Sequence, residues 1–168
     1  MVGPYLLFLS LIMLERVNEL FLSRRNAAWA VARGGIEYGR SHFPAMTLLH
    51  SSFFAASALE VVVLDRPFLA LLAAPMLAVT IAAQALRYWA IRSLGKRWNV
   101  RVIVIPGMPL VASGPYRYLR HPNYLAVVLE MFAIPLVHTA YVTAVVYSLL
   151  NAAMLGVRIR CEEAALAR

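Results

Sequence analysis

The chain has 168 residues, a formal net charge of +8 and 62% hydrophobic residues, with a mean hydropathy of +0.71. Only 14% of its residues are charged, against about 25% in an ordinary soluble domain, which excludes a water-soluble globular fold. The lone cysteine, Cys161, excludes an internal disulfide, and a packed thiol is expected there.

The apolar residues come in blocks, and in chain order each block has the length of a membrane crossing or close to it. A helix needs about 20 apolar residues to cross roughly 30 Å of hydrocarbon. The first block, Gly3–Ile12, continues to Leu22 but is interrupted by Glu15, Arg16, Asn18 and Glu19. No positive residue precedes it and no small-residue cleavage motif follows, so a removable signal peptide is not expected. A tilted first span with a polar inner end is expected, the alternative being an amphipathic helix lying on the membrane surface. Phe43–Leu64 and Pro67–Ile91 each fit one crossing. Tyr124–Val157 is long enough for two short crossings, with Pro135 and His138 where a hairpin would turn. The fold class expected is an all-α, polytopic membrane helix bundle of about five transmembrane helices, or four if the first lies flat, forming one domain over 1–168.

Two polar segments separate the spans. Ser23 to His42 contains Gly34, Gly35 and Gly39 as breakers, with a short helical stretch around Asn26–Ala32 before them. Arg92 to Asn123 contains the run "NVRVIVIPGMPLVASGPYRY", in which alternating β-branched residues precede the turn dipeptides Pro106-Gly107 and Gly114-Pro115. Val100 to Ile105 suits a short extended stretch, although no obvious partner strand is present. A loop of this length inside a compact structure is characteristically functional.

Charge follows the same division. Arg24, Arg25, Arg33 and Arg40 fall between spans one and two, and Arg92, Lys96, Arg97, Arg101, Arg117 and Arg120 between spans three and four. Arg158, Arg160 and Arg168 are expected after span five, while Asp65 and Arg66 cancel in an otherwise uncharged loop. Positive residues in alternate loops follow the positive-inside pattern, which places the N-terminus outside and the basic segments and C-terminus in the cytoplasm. Topology and contact with membrane lipids account for the charge, so nucleic acid is not an expected partner. Nothing in the sequence specifies an oligomeric state.

The chemistry-bearing residues concentrate in "SGPYRYLRHPNYLAV". Arg117, Arg120 and His121 can bind an anion, and Tyr116, Tyr118 and Tyr124 offer aromatic faces suited to a flat ring or a cation. Pro122 biases His121 away from helical angles and is itself accommodated in the first turn of a helix. Interfacial anchoring explains isolated arginines and tyrosines equally well, but it does not require a histidine held in a rigid turn. Near the C-terminus, "VRIRCEEAAL" puts Arg158 with Glu162, and Arg160 with Glu163, on shared helix faces. Surface ion pairs are the plain explanation, yet this helix end is expected beside the long loop. Within the spans, Glu15, Arg16, Glu19, His50, Glu60, Gln84, Arg87 and Glu130 are ionisable or polar residues at costly depth. Pairing of Arg16 with Glu19 and of Arg87 with Glu130 is expected.

"GPYRYLRHPNYLAVVLE" followed by "RIRCEE", and preceded by "ALRYWAIRSLGKRWNVRVIV", resembles the isoprenylcysteine carboxyl methyltransferase family, small integral membrane enzymes that use S-adenosyl-L-methionine (SAM). The front segment "ERVNELFLSRRNAAWAVARGGIEYGRSHFPAMTLLH" resembles a bacterial branch associated with polyketide synthases that make long-chain alkylpyrones or alkylresorcinols. The resemblance implies a bacterial inner-membrane O-methyltransferase whose lipophilic acceptor enters from the bilayer, with a cofactor-binding core over about 84–168. It implies that Tyr116, His121, Pro122, Tyr124, Arg158 and Glu162 border the cofactor. A phenol acceptor calls for a base, for which His121 and Glu163 are candidates beside Arg120; no metal is expected. "RHPNY" also resembles membrane sterol-type reductases that use NADPH, and phospholipid N-methyltransferases and prenylcysteine carboxyl methylation are alternatives. A non-enzymatic membrane scaffold is the remaining one.

Overall fold

The structure is a computed structural model that describes residues 1–167. Five α-helices dominate it: α1 (Val2–Val31), α2 (Phe43–Val63), α3 (Ala70–Leu94), α4 (Pro122–Leu136) and α5 (Tyr141–Leu166). Two short strands, β1 (Ile36–Tyr38) and β2 (Val102–Val104), lie in the two polar segments. An all-α helix bundle is therefore observed. Arg40–Val63, Ala70–Arg97 and Tyr141–Leu166 are long and apolar enough to cross a membrane, and α4 is a shorter apolar helix.

The outside of the bundle explains why the sequence is so apolar. Leu7, Leu11, Leu48, Leu59, Val62, Leu71, Ile81, Val145 and Leu149 are exposed on its surface, which water would penalise and lipid would not. Inside, α3 and α4 make the most extensive helix contact. Ala83 and Ala90 of α3, and Ala126 and Ala133 of α4, are fully buried; small residues let membrane helix backbones approach closely. A core of Tyr5, Leu9, Phe53, Val61, Met131 and Ile134 packs α1, α2 and α4 together.

α1 runs unbroken for 30 residues, so the expected separate helix over Asn26–Ala32 is only its last turns. Nothing interrupts it because Gly34 and Gly35 come after, and no proline lies between Glu15 and Val31. Its mid-helix charged residues, Glu15, Arg16 and Glu19, are turned inward: Glu19 is 7% exposed and joins a cluster inside the bundle. Arg16 donates to both oxygens of Glu19 and to Gln84 of α3, while Arg87 of α3 donates to Glu19 at 2.7 and 2.8 Å and to Glu130 of α4 at 3.3 Å. Both expected pairings occur, fused into one network.

A tight turn does join α4 to α5, with Pro135 in the last turn of α4 and His138 in the turn itself. The start of α5 is capped from another helix: the buried Glu60 carboxylate of α2 accepts from the N–H groups of Val142 and Thr143, at 3.0 and 2.6 Å, and from the Thr143 hydroxyl. These are the donors a helix start leaves without intrahelical partners. Arg66 pairs with the same carboxylate at 2.7 Å.

The extended stretch expected without a partner has one. β2 pairs antiparallel with β1, with Ile36 opposite Val104 and Tyr38 opposite Val102. The ribbon joins the two basic segments across one end of the bundle. Ser23 and Asn26, in the last turns of α1, hold the chain leading into β2: the Val100 N–H donates to Ser23 Oγ at 3.0 Å, and Asn26 Nδ2 donates to the Trp98 carbonyl at 2.7 Å. Beyond β2, Gly114 has φ +61°, and a Cβ there would meet Ser93 Oγ of α3 at 2.0 Å, so the Gly-Pro turn lies directly on α3.

Candidate active site

The basic end of the bundle brings together residues that are distant in sequence. His121 precedes α4 with φ −130° and ψ 63°, away from the helical angles that the proline after it disfavours, and Pro122 is the buried first residue of the helix. One turn along, the ring of Tyr124 stacks on His121 with centroids 5.3 Å apart and planes 15° from parallel. From α5, Glu162 accepts a hydrogen bond from the Tyr124 hydroxyl and places Oε1 at 3.7 Å from His121 Nδ1. Glu163 Oε1 is 3.4 Å from His121 Nε2. The two adjacent carboxylates thus face the two nitrogens of one imidazole.

Arg158 does not pair along its helix with Glu162. It is buried, and its guanidinium donates to the Val100 carbonyl at 2.8 Å and to the Tyr124 hydroxyl at 3.4 Å, touches Met46 Sδ of α2, and lies 5.5 Å from the centre of the Tyr124 ring. α5 continues through Leu166, so Arg158 and Arg160 are part of the fifth helix rather than following it. Arg168 lies outside the described residues.

Tyr116 sits in the short 3-10 turn Gly114–Arg117, half-buried beside this cluster. Burial, and then the Glu162 carboxylate, push its hydroxyl well above the ordinary tyrosine range. Arg120 is exposed and borders the same cavity from its rim. Tyr118 is 73% exposed.

Met46, Tyr116, Arg120, His121, Tyr124, Arg158, Glu162 and Glu163 line one cavity of about 1110 Å³. It runs from Tyr116, His121 and Glu162 at the basic end, beneath the ribbon residues Val102–Val104, to Ile12, Phe53 and Ile134 in the bundle interior. A volume just above the usual range for small-molecule sites, with polar groups at one end and apolar walls at the other, suits an amphipathic ligand or two ligands of opposite character. Met46 and the Val100 carbonyl are site elements that the sequence did not disclose. A methionine on an apolar helix and a backbone oxygen give no chemical signal of their own.

Similarity to known proteins falls on the same region. The family model described as "Isoprenylcysteine carboxyl methyltransferase (ICMT) family" matches residues 76–168, which include α4, α5 and the whole cluster. Over nearly the full length, the chain is 40% identical across 161 residues to "Uncharacterized protein YpbQ" of Bacillus subtilis (strain 168), covering 95% of each. It is 29% identical across 154 residues to an "Uncharacterized protein" of Haemophilus influenzae, covering 90% of this chain and 88% of the other. The regions shared with both relatives are too long to omit either α1 or α2 entirely.

Proposed function

Since the chain belongs to the isoprenylcysteine carboxyl methyltransferase family and is an integral membrane methyltransferase, we propose that it uses SAM to methylate an oxygen of a lipophilic acceptor, with a long-chain alkylpyrone or phenolic lipid as the substrate class. The observation that carries this is the junction of the Tyr124–Glu162–His121–Arg158 cluster with the apolar cavity. One cavity offers a polar recess for a charged cofactor and a greasy one for a lipid.

The residues present fit SAM group by group. Arg158 is a cation whose hydrogen bonds, among the described residues, go to neutral atoms, so it has charge to offer a carboxylate. Glu162 and Glu163 suit an ammonium group or ribose hydroxyls, and the stacked His121 and Tyr124 rings and Tyr116 offer faces to an adenine or a sulfonium. Bound there, the cofactor would supply an electrophilic methyl group. The chain's own contribution is to position the acceptor oxygen against it and to keep water out of the interior end. His121 and Glu163, facing each other at 3.4 Å, form the unit that takes the acceptor proton, and Arg120 at the rim favours anionic ligands entering from the basic side.

The acceptor reaches the cavity from the bilayer between α1 and α2. Met13 and Val17 of α1, and Thr47 and Ser51 of α2, are exposed on the surface and line the cavity as well. By the positive-inside pattern the basic end faces the cytoplasm and the N-terminus faces outward, and the resemblance to a bacterial branch points to a bacterial inner membrane.

Calorimetric titration of SAM and S-adenosylhomocysteine into detergent-purified protein tests this function. Saturable binding that is lost in His121→Ala and Glu162→Ala is expected. An absence of binding to folded wild-type protein would overturn the methyltransferase assignment.

A further inference from the structure

Below the cofactor cluster, the cavity wall carries a second polar level to which every helix contributes. Arg16 of α1, His50 of α2, Arg87 of α3, Glu130 of α4 and Asn151 of α5 all line it. The hydrogen bonds already described put Arg16, Arg87 and Glu130 at one level. Two contacts between α2 and α5, Met46 with Arg158 and Ser52 with Tyr147 at 3.0 Å, bracket His50 and Asn151 and set them opposite one another. His50 lies one helical turn, about 6 Å, further in than Met46, and so one turn from the Arg158–Tyr124–Glu162 cluster.

The unused hydrogen-bonding capacity at this level is specific. His50 Nδ1 is 2.9 Å from the Met46 carbonyl. A carbonyl only accepts, so Nδ1 carries the proton and Nε2 keeps a lone pair. Among the described residues no group engages Nε2. Asn151 is 1% exposed and its Oδ1 has no partner, although buried amide oxygens are almost always paired. The charges of the two guanidiniums, by contrast, are already matched by Glu15, Glu19 and Glu130, although Arg16 Nε has no partner among the described residues. Three carboxylates against two arginines leave no cation at this level for an anionic ligand. What is missing is a group that donates a hydrogen bond to Nε2 and can exchange one with an amide. A hydroxyl does both, whereas a carboxylate cannot donate.

We infer that this level binds the ring of a neutral, hydroxyl-bearing lipid acceptor, with His50 Nε2 taking the hydrogen bond of one ring hydroxyl and Asn151 meeting the ring beside it. The inference rests on the proposed methyltransferase function for the ligand's role as acceptor, but the binding chemistry stands on the cavity alone. It selects a phenol-like head over a prenylcysteine carboxylate. The alkyl tail then leaves past Met13, Val17 and Ser51 into the bilayer.

The test is lipid binding to nanodisc-embedded protein without cofactor, read by quenching of tryptophan fluorescence, Trp98 being a lining residue. Three probes are titrated: pentadecylresorcinol, its dimethyl ether and N-acetyl-S-farnesylcysteine. Wild type should prefer the resorcinol to its ether by about tenfold, the value of one net hydrogen bond. His50→Ala should abolish that preference and leave ether binding unchanged, and His50→Gln should restore part of it through its amide oxygen. An equal loss for both lipids in His50→Ala would mean a packing role and overturn the assignment, as would unchanged resorcinol binding, failure of the wild type to bind the resorcinol, or tighter binding of the farnesylcysteine. SAM titration of the same preparations separates the two ideas. Lipid discrimination without SAM binding strikes only the methyltransferase function, and SAM binding without discrimination strikes only this site.

Discussion

The Tyr124 hydroxyl donates to Glu162 Oε2, joining the first turn of α4 to the last turns of α5. The same hydroxyl accepts from Arg158 at 3.4 Å, so one phenol links a carboxylate and a guanidinium four residues apart on α5. Residues acting through a shared atom do not contribute independently. Tyr124→Phe and Glu162→Gln should each weaken SAM binding, and the double variant should bind no worse than the weaker single one. A coupling of about 1–2 kcal/mol is expected from a calorimetric double-mutant cycle, given a charge-assisted hydrogen bond.

Arg87 is held between Glu19 and Glu130 inside the bundle, with 9% of each side chain exposed. Removing a buried charge costs more than the pair itself contributes, because its partners stay charged and unpaired. Arg87→Met should therefore lower stability by about 3–5 kcal/mol, seen as a lowered thermal midpoint in detergent. Arg87→Met combined with Glu19→Met should recover part of the loss. A double variant less stable than Arg87→Met would show that Glu19 contributes by other means.

Glu60 caps α5 from α2, across 82 residues of sequence. Glu60→Ala leaves the Val142 and Thr143 N–H groups and the Arg66 charge without their acceptor. A loss of about 2–3 kcal/mol is expected in thermal unfolding, the sum of a lost cap and an orphaned donor. Glu60→Gln keeps an acceptor oxygen and should lose about half as much. SAM binding should survive in both, since the cap lies at the end of α5 remote from Glu162.

Tyr116 gives a pH dependence with a definite sign. An unfolded tyrosine ionises near pH 10, while in the fold burial and the Glu162 carboxylate keep the hydroxyl protonated beyond that. The folded state therefore holds its proton longer than the unfolded state. The contribution to stability is intact below about pH 10 and is lost progressively as pH rises above it. Thermal midpoints of Tyr116→Phe should fall less steeply than those of wild type above about pH 10, with no difference in slope at neutral pH.

Much of the site was legible because its chemistry is local. His121-Pro122 fixes its own turn through the steric preference of the residue before proline, and Tyr124 follows at one-turn spacing whatever the bundle does. Arg16, Glu19, Arg87 and Glu130 announced themselves as charges too costly to face lipid. Other features gave no such signal. β1 is three residues between glycines, and its partner lies more than 60 residues away, so β2 reads as an extended stretch but β1 and the pairing do not. Arg158 was read with Glu162 because four-residue spacing puts them on one face, yet the Val100 carbonyl, Tyr124 and Met46 hold it instead.

By itself, then, the sequence determined that the chain lives in a membrane, where its most apolar helices lie, and which short motif carries the polar chemistry. Hydropathy, loop charge and proline stereochemistry act over a few residues, so they can be read without knowing what packs against what. The tertiary structure alone decided which groups meet. The relative register of α2 and α5 puts His50 and Asn151 between the same two interhelical contacts, and the packing of α4 on α5 puts Tyr124 against Glu162. Register between helices depends on how whole faces interlock, a property that no single helix contains.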